Sequence, residues 1–249
     1  MLKDKVIFFS HDSIFARLML DYLLSQEDIE IVGVVLSTCI MRRGKTPILD
    51  YWKLFRTCGL SYILYLLYAN VLYPILGQSK FPSIKKQQKK YGFKIINTLD
   101  VNSSSGIIKQ LQDLDSDYFV SGHFNQIFSK DLLTIPHKDA INIHPSLLPN
   151  WKGVDPVVSA IANNDHNFGV TVHQLTKGVD QGGIYKQKKL SAKKNNLLET
   201  YMSLFQLGVE TFVKVRGQSS LSEQDKNQGS YYSWPSPQDF KKSKYYFKS

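Results

Sequence analysis

The sequence is poor in cysteine and lacks the patterns of a secreted, metal-binding or dinucleotide-binding protein. Its two cysteines, Cys39 and Cys58, cannot form a disulfide framework or a CxxC-type metal site, and no acidic cluster has ligand spacing. The amino terminus MLKDKVIFFSHDS has too short an apolar run for a signal peptide. The turn SHDS that follows this run is not the G-x-G-x-x-G fingerprint. We therefore expect a cytoplasmic protein without a metal centre.

Acidic residues are also scarce relative to basic ones. The chain has 31 Lys and Arg against 21 Asp and Glu, which gives a formal net charge of +10. This balance favours anionic partners, namely nucleotides, polyglutamylated cofactors, nucleic acid or anionic lipid. The basic clusters at 85–90 and 241–248 are typical of solvated faces, and no aromatic residues interleave with basic ones as in RNA-binding surfaces. A nucleic-acid partner is therefore not expected.

Charge is absent altogether from Thr57 to Ser79, inside an unusual segment at 41–90 that opens with the basic turn MRRGK. A run of this length could cross a bilayer. Asn70, Pro74 and four tyrosines argue against a spanning helix, as does the position of the run inside one α/β domain. We expect an apolar helical insertion that packs on its own domain or on a second subunit, so a homodimer stays open. The alternative is an interfacial hairpin that contacts a membrane through 57–79 and makes the protein membrane-peripheral.

Strand-like and helical patterns alternate along the chain. Lys5–Ser10 and Ile29–Leu36 are apolar runs of strand length around a periodic stretch at Ile14–Leu24, which has cap residues at 11–13. Further strands are predicted at Phe93–Asn97, Asp117–Ser121, Ala140–His144, Asn167–Leu175 and Ile184–Leu190, with the last two antiparallel. Helices are predicted at Ser103–Leu114, Ser129–Ile135, Val157–Asn163 and Leu197–Val215. The alternation predicts an α/β protein with a doubly wound, mostly parallel sheet and a polar, loop-rich end at 216–249.

A pair of polar residues lies at the end of one predicted strand. In AINIHPSLLP, residues 140–149, Asn142 and His144 share one face of the strand while the isoleucines beside them point into the protein. Pro145 ends the strand because it has no N–H to donate. Open parallel sheets bind their ligands at the carboxyl ends of strands. The alternative interpretation of N-x-H alone is an incidental His at a strand end.

A longer pattern is more specific. The motif NIHPSLLP at 142–149, with Gly153 and GVTVHQLTKGVDQGGI at 169–184, resembles the formyltransferase family. That family includes glycinamide ribonucleotide transformylase, methionyl-tRNA formyltransferase, formyltetrahydrofolate hydrolase and the sugar N-formyltransferases. The resemblance is strong over 117–184, weaker over 1–36, and does not extend to the apolar insertion.

The resemblance implies both an architecture and a reaction. It implies a Rossmann-like formyltransferase fold with a catalytic domain at 1–190, which includes the insertion at 41–90, and a C-terminal helix and extension at 191–249 that pack on the core. It also implies that the formyl group of 10-formyltetrahydrofolate is transferred to an amine of the substrate. Core packing is an equal alternative for Ile127 and Phe128 of the implied folate-binding set. That set consists of Asn125, Gln126, Ile127, Phe128, Thr176 and Val179.

The catalytic Asn, His and Asp of the family fall on Asn142, His144 and Asp180. An amine that attacks a formyl carbon builds negative charge on the formyl oxygen, which a fixed donor such as the Asn142 amide stabilises. A protonated His144 can donate as well, and a carboxylate retunes its pKa from about 6.5. We predict that Asp180 holds and charges His144 and helps take the proton that the amine loses. We expect His173 to be either a structural residue or part of the site. The other four histidines are predicted to lie in loops or on the surface: His11, His123, His137 and His166.

The choice of acceptor amine is narrowed by excluding members of the family. SHDS does not supply the Gly-rich phosphate loop of the glycinamide ribonucleotide enzymes, and the first strand begins without the regulatory domain of the hydrolase. Only residues 181–249 follow Asp180, which we expect to leave no room for the tRNA-binding barrel of methionyl-tRNA formyltransferase. The sugar N-formyltransferases, which act on an amino sugar carried by a nucleotide or lipid phosphate, fit best. The alternatives are a methionyl-tRNA formyltransferase-like enzyme without the barrel and a non-catalytic folate-binding protein.

Overall fold

A seven-stranded sheet forms the centre of the protein. The computed structural model describes residues 2–39, 47–76, 80–103, 106–191, 194–225 and 228–248. In chain order the strands are β1 (Asp4–Ser10), β2 (Ile29–Ser37), β3 (Lys94–Thr98), β4 (Tyr118–Gly122), β5 (Asp139–His144), β6 (Lys152–Gly153), β7 (Gly169–Gln174), β8 (Ile184–Lys189) and β9 (Tyr231–Tyr232). β6 and β9 pair with each other, and the other seven lie in the order β3-β2-β1-β4-β5-β7-β8.

Most of this sheet is parallel. β1 pairs in parallel with β2 and β4, β2 with β3, and β4 with β5, whereas the β5–β7 and β7–β8 pairs are antiparallel. The predicted doubly wound, mostly parallel α/β sheet is therefore confirmed, as is the antiparallel pairing of the last two strands. The strand order reverses between β1 and β4, so the carboxyl ends of β1, β4 and β5 meet where such sheets bind ligands.

Helices cover both faces of the sheet. In chain order they are α1 (Ile14–Leu24), α2 (Pro47–Cys58), α3 (Leu60–Leu67), a π-helical segment (Tyr68–Leu72), α4 (Tyr73–Ile75), α5 (Ile84–Tyr91), α6 (Ile107–Gln112), α7 (Lys130–Leu133), α8 (Pro156–Ala162), α9 (Leu197–Val215) and α10 (Pro237–Tyr246). α1 and α9 have their predicted bounds. α6 is shorter than the helix predicted at Ser103–Leu114, of which 104–105 lie outside the described residues.

Successive side chains of the central strand β1 belong to two different hydrophobic clusters. Phe8 of β1 packs in the cluster that includes α1 and α9, and Phe9 packs in a second cluster on the opposite face. α9 packs tightly on β5 at Gly208, where an added Cβ would lie 2.3 Å from Cγ2 of Ile143. Only glycine permits this approach, and the packing fixes the strand that carries Asn142 and His144.

The insertion is helical, as predicted. α3, the π-helical segment and α4 follow one another without leaving helical backbone, so they form one continuous helix from Leu60 to Ile75. No helix in the described ranges is long and apolar enough to cross a membrane. The predicted basic turn at 41–45 and the end of the charge-free run at 77–79 lie outside the described residues.

The predicted loop-rich end at 216–249 is wrong for its last part, which forms α10. Ser236 and Asp239 close a capping box at the start of this helix. Phe240 is buried, and its ring centroid lies 5.2 Å from that of Tyr62 in the insertion. Because α10 is otherwise mostly polar, it has no apolar stripe by which periodicity could have indicated a helix.

Candidate active site

Three polar side chains from two elements meet at the carboxyl end of β5. Asn142 and His144 lie on β5. Asp180 lies in the loop between β7 and β8, with a φ of 51° in the left-handed region that Asp tolerates better than most residues. They face a cleft of about 900 Å³. All nine site residues predicted from the sequence line this one cleft: Asn125, Gln126, Ile127, Phe128, Asn142, His144, Thr176, Val179 and Asp180.

Asp180 is held by contacts on both carboxylate oxygens. Oδ2 accepts the Gly153 N–H at 2.8 Å. Oδ1 lies 3.6 Å from Nδ1 of His144 and 3.5 Å from Nε2 of His173. Burial alone would raise the pKa of Asp180, but attraction to a proton on the His144 or His173 imidazole and the Gly153 N–H outweigh burial, so the pKa lies well below its ordinary value. The carboxylate is therefore ionised at neutral pH although only 10% of the side chain is exposed.

His144 is buried and neutral at rest. Its Nε2–H donates to the Trp151 carbonyl oxygen at 2.9 Å, so the neutral ring carries its lone pair on Nδ1, towards Asp180. Burial lowers the pKa of His144, and the opposing effects of Asp180 and the Trp151 carbonyl do not cancel it. The prediction that Asp180 charges His144 is wrong for the resting site, because desolvation of the imidazole outweighs one carboxylate. Nδ1 is instead ready to accept a proton.

His173 orients the Asn142 amide. The two residues are opposite each other across β5 and β7. Nδ1–H of His173 donates to the Gln174 carbonyl oxygen at 2.8 Å, which leaves Nε2 to accept from Asn142. It takes one N–H of Asn142 at 3.1 Å, whereas the other amide N–H meets Asp180 only at 3.4 Å, which is long for such a bond. One amide hydrogen is thus fixed, and the other is available to a ligand.

Two more histidines line the cleft than the sequence indicated. His11 and His123 lie in loops, as predicted, but they are half-buried in the cleft wall and not on the outer surface. Burial lowers the pKa of both rings, to about 3 for His123. Their positions directly after β1 and β4 were a usable signal. His137 and His166 are exposed, as predicted, and the described residues contain no group of three His, Cys, Asp or Glu side chains arranged to hold a metal ion.

Asn125 and Gln126 tie the loop after β4 to the end of β2. Asn125 accepts a hydrogen bond from the Ser37 hydroxyl at 2.8 Å and donates to the Cys39 carbonyl oxygen at 2.9 Å. Gln126 donates to the same hydroxyl at 2.8 Å and accepts the Val101 N–H at 2.6 Å. These side chains therefore fix the shape of the cleft wall.

The two apolar residues of this loop have different environments. The Phe128 ring is 2% exposed and packs with its centroid 4.9 Å from that of Phe9, so the core-packing alternative describes its side chain. Ile127 is half-buried in the cleft wall, and its carbonyl oxygen accepts a hydrogen bond from the Asn102 amide at 2.8 Å. Ile127 is thus the more exposed of the pair to a ligand.

The facing wall is the loop between β7 and β8. The Thr176 hydroxyl donates to the Gly178 carbonyl oxygen at 3.1 Å, which closes the turn before Val179. Gln224, from the segment after α9, donates to the Asp180 carbonyl oxygen at 3.1 Å. The loop that presents Asp180 is therefore braced by the C-terminal part of the chain.

The insertion supplies a third wall, where the sequence pointed to no site residue. Tyr62 and Tyr65 line the cleft beside Asp155, at the start of α8. Burial raises the pKa of Asp155, and hydrogen bonds from Tyr62 and Tyr201 oppose this effect. The Tyr62 hydroxyl donates to Asp155, which joins the insertion to the loop that carries Gly153.

Comparison with known proteins decides the family. Residues 80–215, more than half of the chain, match the model of the family described as formyl transferase. The chain belongs to the formyl transferase family. The methionyl-tRNA formyltransferase of Methylacidiphilum infernorum (isolate V4) is 37% identical over 143 residues, which cover 56% of this chain and 44% of that relative. The chain thus matches less than half the length of this curated relative.

Two solved formyltransferases share the fold. The N-formyltransferase from Helicobacter canadensis, in complex with folinic acid and dTDP-3-aminofucose, has a TM-score of 0.56 at 19% identity and covers 94% of this chain and 71% of its own. Phosphoribosylglycinamide formyltransferase from Bacillus halodurans has a TM-score of 0.56 at 18% identity and covers 87% and 97%. At these identities the likeness shows the fold and not the acceptor.

Formyl transferases of this family use 10-formyltetrahydrofolate, and the cleft fits a ligand of that size. Its volume of about 900 Å³ lies within the range of about 300–1,000 Å³ typical of sites for small molecules and cofactors. The loops at 125–128 and 176–180 are fixed by hydrogen bonds on either side of it. Asn142 lines this space, so its available N–H can reach a formyl oxygen that needs a donor.

Proposed function

We propose that this chain transfers the formyl group of 10-formyltetrahydrofolate to the primary amine of an amino sugar carried by a nucleotide or a lipid phosphate. One observation carries the proposal: Asn142, His144 and Asp180 converge in one cleft at the carboxyl end of β5. They supply an available amide N–H, a neutral imidazole and an ionised carboxylate. Formyl transfer to an amine needs these three groups, as a donor to the developing oxyanion, a base and a partner for that base.

The donor to the formyl oxygen is Asn142. As the amine nitrogen bonds to the formyl carbon, the oxygen gains negative charge. The second N–H of Asn142 is held only weakly by Asp180 at 3.4 Å, so it donates to this oxygen at little cost. His173 holds the first N–H at 3.1 Å and keeps the amide from rotating. The donor is therefore oriented before the charge develops.

The base is His144. Its Nδ1 is unprotonated because burial lowers the pKa, and it accepts the proton of the amine directly or through one water. The resulting imidazolium lies 3.6 Å from the ionised Asp180, which stabilises it. The proton then passes to the folate nitrogen as its bond to the formyl carbon breaks, so the transfer is balanced.

The acceptor is inferred from the net charge of the chain and from the wall of the cleft that the insertion forms. A net charge of +10 favours a substrate with phosphates. Tyr65 of the insertion, half-buried in the cleft wall, gives the cleft aromatic surface, which suits the apolar face of a sugar ring. The fold neighbour from Helicobacter canadensis was solved with a dTDP-linked amino sugar, so ligands of that class are the first probes.

The test is a formyl-transfer assay with a panel of amines. The protein is incubated with 10-formyltetrahydrofolate and with dTDP-linked, UDP-linked or polyprenyl-phosphate-linked amino sugars, and tetrahydrofolate release and product mass are followed. We expect turnover with at least one amino sugar and its loss in His144→Asn. Folate binding without turnover on any amine would refute the enzyme proposal and favour a folate-binding protein.

A second candidate is a methionyl-tRNA formyltransferase-like activity. Its specific support is the 37% identity over 143 residues to an enzyme of that name. Binding of initiator tRNA would then weaken steeply with salt, because each phosphate contact releases counterions. Formyl-methionyl-tRNA formed at low salt, with no amino sugar used, would replace the sugar proposal with this one.

A further inference from the structure

The outer face of the insertion helix is apolar along its whole length. Exposed positions recur every three or four residues from Leu60 to Leu76, so they lie on one side of the continuous helix. Most of the exposed large apolar side chains of the described residues belong to the insertion. The exposed residues on this side are Leu60, Ser61, Leu64, Leu67, Tyr68, Val71, Leu72, Ile75 and Leu76, and none is charged.

Helix α2, which packs against α3, adds exposed aromatic and basic groups to the insertion. Trp52 is 56% exposed and Phe55 is 48% exposed. Lys53 is exposed beside them, and the Arg56 guanidinium lies 4.9 Å from the centroid of the Trp52 ring. The insertion has one acidic residue within 47–76, Asp50, and its side chain is buried at 2% exposure. The surface is therefore apolar and aromatic with a positive fringe.

The apolar face is continuous with the active-site cleft. Leu67 and Val71 line the cleft, yet they are 46% and 43% exposed. They therefore form a rim shared by the cleft and the outer face. A partner that covers the outer face would lie at the entrance to the cleft.

We propose that residues 51–76 form a docking surface for an anionic lipid bilayer, on which the helix lies in the membrane interface without spanning it. An apolar helical face flanked by aromatic and basic side chains inserts about 5–10 Å into the headgroup region. Lys53 and Arg56 are attracted to anionic headgroups. The cleft rim would then face the bilayer, so an amine on a lipid carrier enters from the membrane.

Charge favours a bilayer over a second copy of the chain. In a two-fold symmetric contact the patch meets its own copy, so Lys53 and Arg56 would be covered by a surface of the same composition. No acidic side chain is exposed within 49–76 to offset this positive charge. An anionic lipid surface satisfies both the apolar area and the positive charge.

Vesicle flotation tests the proposal without any substrate, so its outcome is independent of the proposed function. The probes are vesicles of phosphatidylcholine alone and of phosphatidylcholine with an equal amount of phosphatidylglycerol. The wild-type protein should float with the mixed vesicles. Its affinity for neutral vesicles should be lower, because Lys53 and Arg56 each contribute about fivefold to binding of an anionic surface. Lys53→Ala with Arg56→Ala should remove this preference for anionic vesicles.

The matched variants differ only in where a charge is placed. Leu64→Glu with Ile75→Glu puts carboxylates at positions 54% and 73% exposed, neither of which lines the cleft, and should reduce vesicle binding more than tenfold. Leu2→Glu with Leu99→Glu, at residues 102% and 63% exposed outside the insertion, adds the same two charges and should bind as the wild type does. Circular dichroism and a cooperative thermal transition show that each variant is folded.

Three outcomes would overturn the proposal. The wild type could stay unbound with mixed vesicles at low salt. The double glutamate variant, although folded, could float like the wild type. Analytical ultracentrifugation could instead show a mass that rises with concentration and falls to the monomer in the double variant without vesicle binding, which would make the surface a subunit contact.

Discussion

Replacing Asp180 by asparagine removes one charge from the site and almost no volume. In Asp180→Asn the amide oxygen can still accept the Gly153 N–H, so the loop keeps its anchor. What is lost is the attraction between the carboxylate and the imidazolium that forms on His144 at 3.6 Å. At an effective dielectric constant of about 20 this attraction is worth about 5 kcal/mol, which corresponds to a decrease in kcat of about 10³- to 10⁴-fold.

The assay is formyl transfer to the best amine of the panel, with kcat and KM measured separately. KM for 10-formyltetrahydrofolate should change little, because Asp180 acts on the base and not on folate binding. Nuclear magnetic resonance gives a readout that needs no acceptor. The pKa of His144 should fall further in the variant, since Asp180 is what raises it against burial. A folded Asp180→Asn with kcat within tenfold of the wild type, or an unshifted His144, would refute this reasoning.

Three further predictions concern packing, the insertion and pH. Gly153→Ala should lower the free energy of unfolding by about 1–3 kcal/mol in urea titrations, because Gly153 has a φ of 100° and an added Cβ would lie 2.1 Å from a backbone oxygen. Gly106→Ala is the control and should leave the free energy of unfolding unchanged, because an added Cβ there meets nothing within 4 Å. Tyr62→Phe should lower kcat by up to about 10²-fold and stability by about 1–3 kcal/mol, because the buried Asp155 loses a donor; equal kcat and melting temperature would contradict it. The free energy of unfolding should fall as pH drops below about 6.5, because the unfolded chain protonates His144 before the folded protein does; a flat profile from neutral pH to about pH 5 would contradict it.

Much of the fold was predictable because local signals and tertiary packing agree. The bounds of α1 and α9 follow from an apolar stripe that begins just after a capping residue, Ser13 in α1 and Asn196 in α9. α10 lacks such a stripe. Its local signals were the capping-box spacing of Ser236 and Asp239 and Pro237 at the first helical position, and its stability comes from burial of Phe240 against distant residues.

Alternation along one strand predicts only part of the site, and Asp180 and the loop residues followed from the family resemblance. Asn142 and His144 share a face of β5, so alternation alone brings them together. His173 joins them through the antiparallel pairing of β5 with β7, a register that local patterns do not give. The charge state of His144 also depended on the fold, because burial sets its pKa and no local pattern indicates how deeply an imidazole is buried.

One loop, residues 151–155, explains how the catalytic geometry is held. Three of its five residues have positive φ, namely Trp151 at 57°, Gly153 at 100° and Asp155 at 45°. The backbone therefore turns at alternate residues. The carbonyl of Trp151 points to His144 and the N–H of Gly153 to Asp180. These contacts are made by backbone atoms, so no side-chain pattern in the sequence could predict them.

The loop is itself held by parts of the chain outside the family match at 80–215. β6, within the loop, pairs with β9 near the C-terminus, and Asp155 accepts a hydrogen bond from Tyr62 of the insertion. Non-glycine residues with positive φ persist only when the surroundings hold them there. Loss of either support should therefore move the partners of the catalytic imidazole and carboxylate. On this reasoning the insertion affects the rate through the loop, in addition to any contact it makes with the acceptor or with a membrane.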